Sequence, residues 1–170
     1  MTADIFDTDD DAKMIEHWDV IDEIVDETVS GHTQIDGPTE PTDLDKTEQN
    51  RTLVRGFLDD VVKGDDYDKL TDYTSAETYV QHNPNISDGL EGLVAYVAEL
   101  AEQDKTMVYQ EIHKVIGCGD LVATLSKTNL GGVDMAVIDL FRVAEGRIVE
   151  HWDVMEEITP EQTWVNSGKF

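Results

Sequence analysis

MAVIDLFRVAEGRIVEHWDVMEE, residues 135–157, is the stretch whose reading decides the fold. Two runs rich in β-branched and aromatic residues, Ala136 to Val143 and Arg147 to Met155, flank Glu145-Gly146 at a short-turn position, which is the pattern of a β-hairpin. Side chains alternate between the faces of a strand, so His151 and Asp153 share one face of the second arm. An imidazole and a carboxylate held on a rigid strand make a candidate acid/base pair. The same spacing also suits a surface pair or a satisfied core pair, and the hairpin alone does not choose between them.

The hairpin recurs at the other end of the chain. Glu16-His17-Trp18-Asp19-Val20 repeats Glu150-His151-Trp152-Asp153-Val154 letter for letter, Asp4-Ile5-Phe6 echoes Asp139-Leu140-Phe141, and Ile21-Asp22-Glu23-Ile24 mirrors Met155-Glu156-Glu157-Ile158. The separation is about 135 residues before the turn and about 134 after it, the size of one domain. Residues 1–27 are therefore expected to form a hairpin turning at Asp7 to Asp11, the tail end of a second, mostly absent copy of the domain. Ile5, Phe6, Met14, Ile15, Trp18, Val20, Ile21 and Ile24 make an apolar set that a lone hairpin cannot bury. The hairpin is expected to add strands to a sheet or to cover a sheet face, in its own subunit or in a partner's.

Composition narrows the function classes. The 170 residues carry 38 acidic side chains against 12 basic ones, a net charge of −26, which repels nucleic acid and anionic membrane surfaces. The acidity is spread along the chain, as in a protein adapted to high salt, where screening relieves repulsion among carboxylates. A hydrophobic content of 39% is enough for a core. Cys118 is the only cysteine, which excludes an intrachain disulfide and multi-cysteine zinc sites. The N-terminus is acidic and lacks the apolar stretch of a signal peptide, and no run approaches a transmembrane span, so a cytoplasmic location is expected.

In order along the chain, residues 28–45 carry Gly31, Gly37, Pro38 and Pro41 without apolar periodicity and read as a linker. Asp45 and Glu48 have capping-box spacing ahead of Leu53, Val54, Phe57, Leu58, Val61 and Val62, the apolar face of a first helix that Gly64 is placed to end. A short second helix is expected over Tyr67 to Tyr73, and a short strand over Glu77 to Gln81 running into His82-Asn83-Pro84. Asp88 and Glu91 form another capping-box spacing before a third helix with Leu90, Leu93, Val94, Val97 and Leu100. From Thr106 onward four long strands are joined by short turns. Helices first and a meander afterwards give an α+β plan, with three helices packed on a curved antiparallel sheet and an extra N-terminal hairpin.

Tyr79-Val80-Gln81-His82-Asn83-Pro84, then a helix, then Asp139-Leu140-Phe141-Arg142 and Glu150-His151-Trp152-Asp153-Val154 carry a family resemblance. In this order the chain resembles the SnoaL-like polyketide cyclases of the nuclear-transport-factor-2-like superfamily, and within them the SnoaL-like aldol-condensation branch. The resemblance covers residues 46–170. It implies a cystatin-like cone, a homodimer, and a pocket for a small hydrophobic or polyketide-like ligand, without cofactor. It implies acid/base work for Asp153, and it places Asp139 where the cyclases have a helping histidine. Simple pairing across Glu145-Gly146 sets Asp139 opposite Trp152, so a bulge is needed to bring Asp139 and Asp153 to one face.

An aldol closure needs a base for a proton next to a carbonyl and a donor for the developing alkoxide. Asp153 is assigned as base, His151 or His82 as its partner, and Asn83 as oxyanion donor. Trp152 and His113 are candidate substrate contacts. Each has a structural alternative: an Asx-type turn for His82-Asn83-Pro84, core packing for Trp152, and a sheet-wall position for His113. No metal is expected, since spacing supplies no third ligand to His151 and Asp153. Two rival functions remain: a non-catalytic dimeric ligand-binding or association module, and epoxide hydrolysis by Asp139 and Asp153 bridged by Arg142. From the charge alone, the melting temperature should climb from low to molar salt, as weakened carboxylate repulsion favours the compact state. A flat or falling midpoint in thermal unfolding would remove the salt-adapted reading.

Overall fold

The computed structural model describes residues 1–170. The chain opens with β1 (Thr2–Thr8) and β2 (Met14–Ile21), an isolated two-stranded hairpin. α1 (Thr47–Phe57) continues into a π-helical turn at Leu58–Val62, and α2 (Leu70–Tyr73) is a single turn. β3 (Val80–Gln81) precedes α3 (Gly89–Glu102). The meander is β4 (Met107–Cys118), β5 (Leu121–Leu130), β6 (Val133–Ala144) and β7 (Arg147–Glu157). The sheet runs β3-β7-β6-β5-β4, and β3 lies parallel to β7, so the sheet is mixed rather than antiparallel throughout. Between β6 and β7, Ala144 pairs with Arg147 around Glu145 (φ 52°) and Gly146 (φ 73°), a two-residue turn with both residues left-handed.

Neither capping box forms. Asp45 falls inside a 3₁₀ turn, Leu44–Lys46, that leads into α1. Asp88 does occupy the N-cap of α3, but its carboxylate accepts the Gln81 N–H at 2.8 Å and faces His32 Nε2 at 3.0 Å. The cap side chain has been taken over by tertiary contacts that fix β3.

The two faces of the sheet are covered differently. Val54, Phe57, Leu58 and Val61 of α1 and its π turn pack with Tyr109, Val122, Phe141, Val143 and Ile148 on the inner face. On the outer face Ile5, Trp18 and Val20 of the hairpin pack with Leu125, Ala136, Ile138 and Val154. Lys114 Nζ sits 3.4 Å from the Trp18 ring centroid, a cation–π contact. The Ile21 N–H donates to Glu156 at 2.9 Å, and Lys169 reaches the same carboxylate at 2.7 Å. The hairpin therefore covers an outer sheet face of its own chain and adds no strand to the sheet. Of the expected apolar set only Ile5, Trp18 and Val20 are buried.

Residues 28–45 are a docked strap rather than a free linker. The Val29 N–H donates to the Pro84 carbonyl at 3.0 Å, Trp152 Nε1–H to the Asp36 carbonyl at 2.8 Å, and the Asp120 N–H to the Thr42 carbonyl at 2.9 Å. Gly37 (φ 119°) is needed where the strap crosses Trp152, because a Cβ there would stand 2.6 Å from the indole. No helix is long and apolar enough to cross a membrane. Trp18→Ala should cost about 3 kcal/mol in urea unfolding, since it leaves a cavity under the hairpin. Phe6→Ala, at a residue half exposed, should stay within about 0.5 kcal/mol.

Candidate active site

A bulge in β7 builds the site. Arg142 pairs with Glu150 and Val143 with Ile148, which leaves Val149 without a partner. The extra residue shifts side-chain parity, so Asp139 stands across from Asp153 and Phe141 across from His151. All four face the helices and border one apolar cavity of about 90 Å³. Phe57, Leu58, Val61, Tyr79, Leu93 and Tyr96 supply much of its wall.

Asp139 is fully buried and accepts three hydrogen bonds, each 3.1 Å long, from Tyr109 Oη, Thr124 Oγ1 and His151 Nε2. His151 Nδ1 lies 3.0 Å from Gln81 Oε1, and that oxygen also accepts the Asn83 N–H at 2.9 Å. The backbone donor identifies the oxygen of the Gln81 amide, so Nδ1 carries a proton. Nε2 faces the Asp139 carboxylate, and a donor is needed there too. Burial alone would lower the proton affinity of His151, but its hydrogen bond to Asp139 and the charges of Asp153 and Asp139 outweigh burial and raise it. The result is a buried imidazolium.

Asp153 has the opposite character. One of its oxygens accepts Asn83 Nδ2–H at 2.7 Å. Burial, with the Asp139 charge in support, raises its pKa against the opposing pull of His151 and the Asn83 amide. Asp153 is therefore a carboxylate with raised proton affinity beside an apolar cavity, as a general base requires.

Several expected site residues lie elsewhere. His82 is buried on the far side of β7, stacked on Trp152 at 4.6 Å, with Nε2 2.9 Å from Glu150 and Nδ1 2.7 Å from the Thr33 carbonyl. His82 and Trp152 thus anchor the strap and do not border the cavity, because neighbours of inward residues on an extended segment point outward. His113 stacks on Phe170 at 4.1 Å, also away from the cavity. Asn83 has its amide oxygen on the Asn85 N–H and its nitrogen on Asp153, so its amide donor is engaged by that carboxylate instead of awaiting an oxyanion. Arg142 donates to Glu150 at 2.6 Å on the outer face, so the arginine-bridged aspartate pair does not assemble. Ligand-type atoms of Asp139, His151 and Asp153 do lie within 4.8 Å of one another, but both His151 nitrogens are engaged by Asp139 and Gln81.

Gln81 was not among the expected residues. It lines the cavity, is fully buried, and its Nε2 has no partner within the protein. The alternation Tyr79, Gln81, Asn83 could have revealed it, since all three share the face that carries Asn83 to Asp153. Tyr109 and Thr124 carry no local signal, because their roles depend on register across β4, β5 and β6.

The SnoaL-like domain model matches residues 54–151. No curated protein matches the chain. Among solved structures, a candidate ketosteroid isomerase from Kribbella flavida is similar at a TM-score of 0.54 and 16% identity, covering 71% of this chain and 91% of that one. An LEH-like epoxide hydrolase from M. tuberculosis is similar at 0.51 and 22% identity, covering 65% and 85%. An NTF2-like protein of unknown function from Mesorhizobium loti is similar at 0.52 and 20% identity, covering 71% and 97%. At these identities the likeness is one of fold.

Both displaced groups hold their protons more tightly in the folded chain, so both make stability fall as pH rises. The Asp153 contribution declines from 3.8 upward to its raised folded value. The His151 contribution is full below 6.5 and is lost through its own folded value, which lies higher. NMR titration should place the His151 midpoint above 6.5 in the native protein and lower it in Asp139→Asn. An unchanged midpoint in that variant would show that Asp139 does not hold the imidazolium.

Proposed function

The chain belongs to the SnoaL-like domain family, and from that premise we propose that it is a small-molecule enzyme, an aldol-type cyclase or isomerase with Asp153 as its acid/base. The observation that carries this reading is the pairing of a proton-avid buried carboxylate with an unpartnered amide donor at one apolar cavity. Asp153 takes a proton from the carbon next to a carbonyl, and the bonding electrons move onto the carbonyl oxygen. Gln81 Nε2–H donates to that oxygen, and the nearby His151 imidazolium lowers the energy of the developing negative charge. The enolate carbon then attacks a second carbonyl, whose oxygen receives the proton back from Asp153. Return of the proton to another carbon instead gives isomerisation. Asp139 is a positioning residue: it keeps His151 charged and oriented through a 3.1 Å hydrogen bond.

The volume of the cavity limits what enters it. About 90 Å³ is the room of roughly three water molecules, well below a drug-sized pocket. A polyketide-sized ligand requires Tyr67, Tyr96 and Met107, which also line the cavity, to move aside. That small volume favours the second reading, a binding module without catalysis.

The two readings part on one measurement. Small ketones such as butanone and cyclopentanone, incubated with the protein in deuterium oxide, report α-proton abstraction directly by NMR. The wild type should accelerate exchange above buffer, and Asp153→Asn should lose at least about 100-fold of that acceleration. Gln81→Leu should lose a comparable factor, as expected for removal of an oxyanion donor. Wild-type exchange no faster than buffer would favour the binding module.

A further inference from the structure

The N-terminal hairpin repeats more than the letters of β6 and β7. Asp4 lies across from Asp19 as Asp139 lies across from Asp153, and Phe6 across from His17 as Phe141 across from His151. The bulge recurs at the corresponding residue. Asp7 pairs with Glu16 and Thr8 with Met14, which leaves Ile15 unpaired where β7 leaves Val149. Side-chain geometry recurs as well: His17 Nε2 stands 2.7 Å from Asp4, against 3.1 Å between His151 and Asp139. Phe6 stacks on His17 at 4.6 Å, as Phe141 stacks on His151 at 4.8 Å.

The copies differ in what lies on top of them. Over Phe141 the chain lays Val54, Phe57, Leu58 and Val61, with Phe57 edge-on to Phe141 at 5.8 Å. Over the hairpin copy there is no such layer: Phe6 is 50% exposed, Met14, the counterpart of the covered Ile148, 60%, and Ile21 52%. The opposite face of the hairpin is already occupied, since Ile5, Trp18 and Val20 pack on the outer sheet. The open face is the wall of a pocket without its helical cover.

We propose that this open face docks a separate polypeptide, which lays an amphipathic helix, apolar side down, across Phe6, Met14, His17 and Ile21. The chain itself shows which chemistry fits, because an equivalent wall is covered by Leu53, Val54, Phe57, Leu58 and Val61, a helical stripe of aliphatic residues around one aromatic. Charge adds a second requirement. Asp7, Asp9, Asp10 and Asp11 crowd the turn end of the hairpin, so the partner helix carries Lys or Arg at that end. A second copy of this chain fits less well, because it would set Asp4, Asp19 and the acidic turn against like charges.

The test uses the full chain, isotopically labelled, in molar potassium chloride, with a synthetic peptide of residues 47–62 carrying Asp59→Lys and Asp60→Lys as the basic helical probe. The amide signals of Phe6, Met14, His17 and Ile21 should shift saturably while those of His151 and Asp153 stay in place. The full-length variant Phe6→Ser/Met14→Ser, altered only at exposed residues, should keep the wild-type unfolding midpoint and lose the shifts. Absence of saturable shifts at millimolar peptide, or equal shifts in the variant, would overturn the proposal. Concentration-dependent sedimentation of the wild type that disappears in the variant would also overturn it, in favour of a second copy as occupant.

Discussion

The parity of β7 depends on a single extra residue. Without Val149 as a bulge, continuous pairing from the Glu145-Gly146 turn would put Asp139 opposite Trp152 and divide Asp139 and Asp153 between two faces. With it, Asp139, Phe141, His151 and Asp153 turn toward the helices, while Arg142, Glu150 and Trp152 turn outward. The outward set is not idle. Glu150 joins Arg142 to His82, and Trp152 receives the strap at Gly37. One register shift thus assembles the cavity on one side and the anchor of the strap on the other.

The buried charges are tolerable because they are arranged as a bonded set. A lone carboxylate in such surroundings would give up its charge, since desolvation outweighs anything an apolar wall returns. Asp139 keeps three donors, and His151 has an acceptor at each ring nitrogen. Asp153 is the carboxylate with fewest partners, and its burial raises its proton affinity. His151, next but one to Asp153 on β7, supplies the imidazolium of the set.

The hairpin shows how much of the β6–β7 motif recurs in a two-stranded sheet. Register, bulge, His–Asp contact and ring stack are all reproduced in β1 and β2 without α1 over them or a third strand paired to them. Such features are therefore properties of the two-strand sequence itself. Burial is not: the same residue types that are enclosed at Phe141 and His151 are open to solvent at Phe6 and His17.

What the sequence by itself determined is local or periodic. The α+β order, the four long strands, the turn at Glu145-Gly146, the repeat of the hairpin and the shared face of His151 and Asp153 all follow from alternation, turn chemistry and letter-for-letter identity, which need no distant neighbour. Tertiary structure decided everything that depends on which segments meet. It made β3 a parallel edge strand, turned Asp88 from helix cap into a tie for Gln81, sent His82, Trp152 and His113 away from the cavity, and left the Gln81 amide unpartnered inside it. The physical reason is that a side chain's face is set by strand parity but its partner is set by packing. Packing joins residues such as Gln81 and His151, 70 positions apart, through a register that no local pattern encodes.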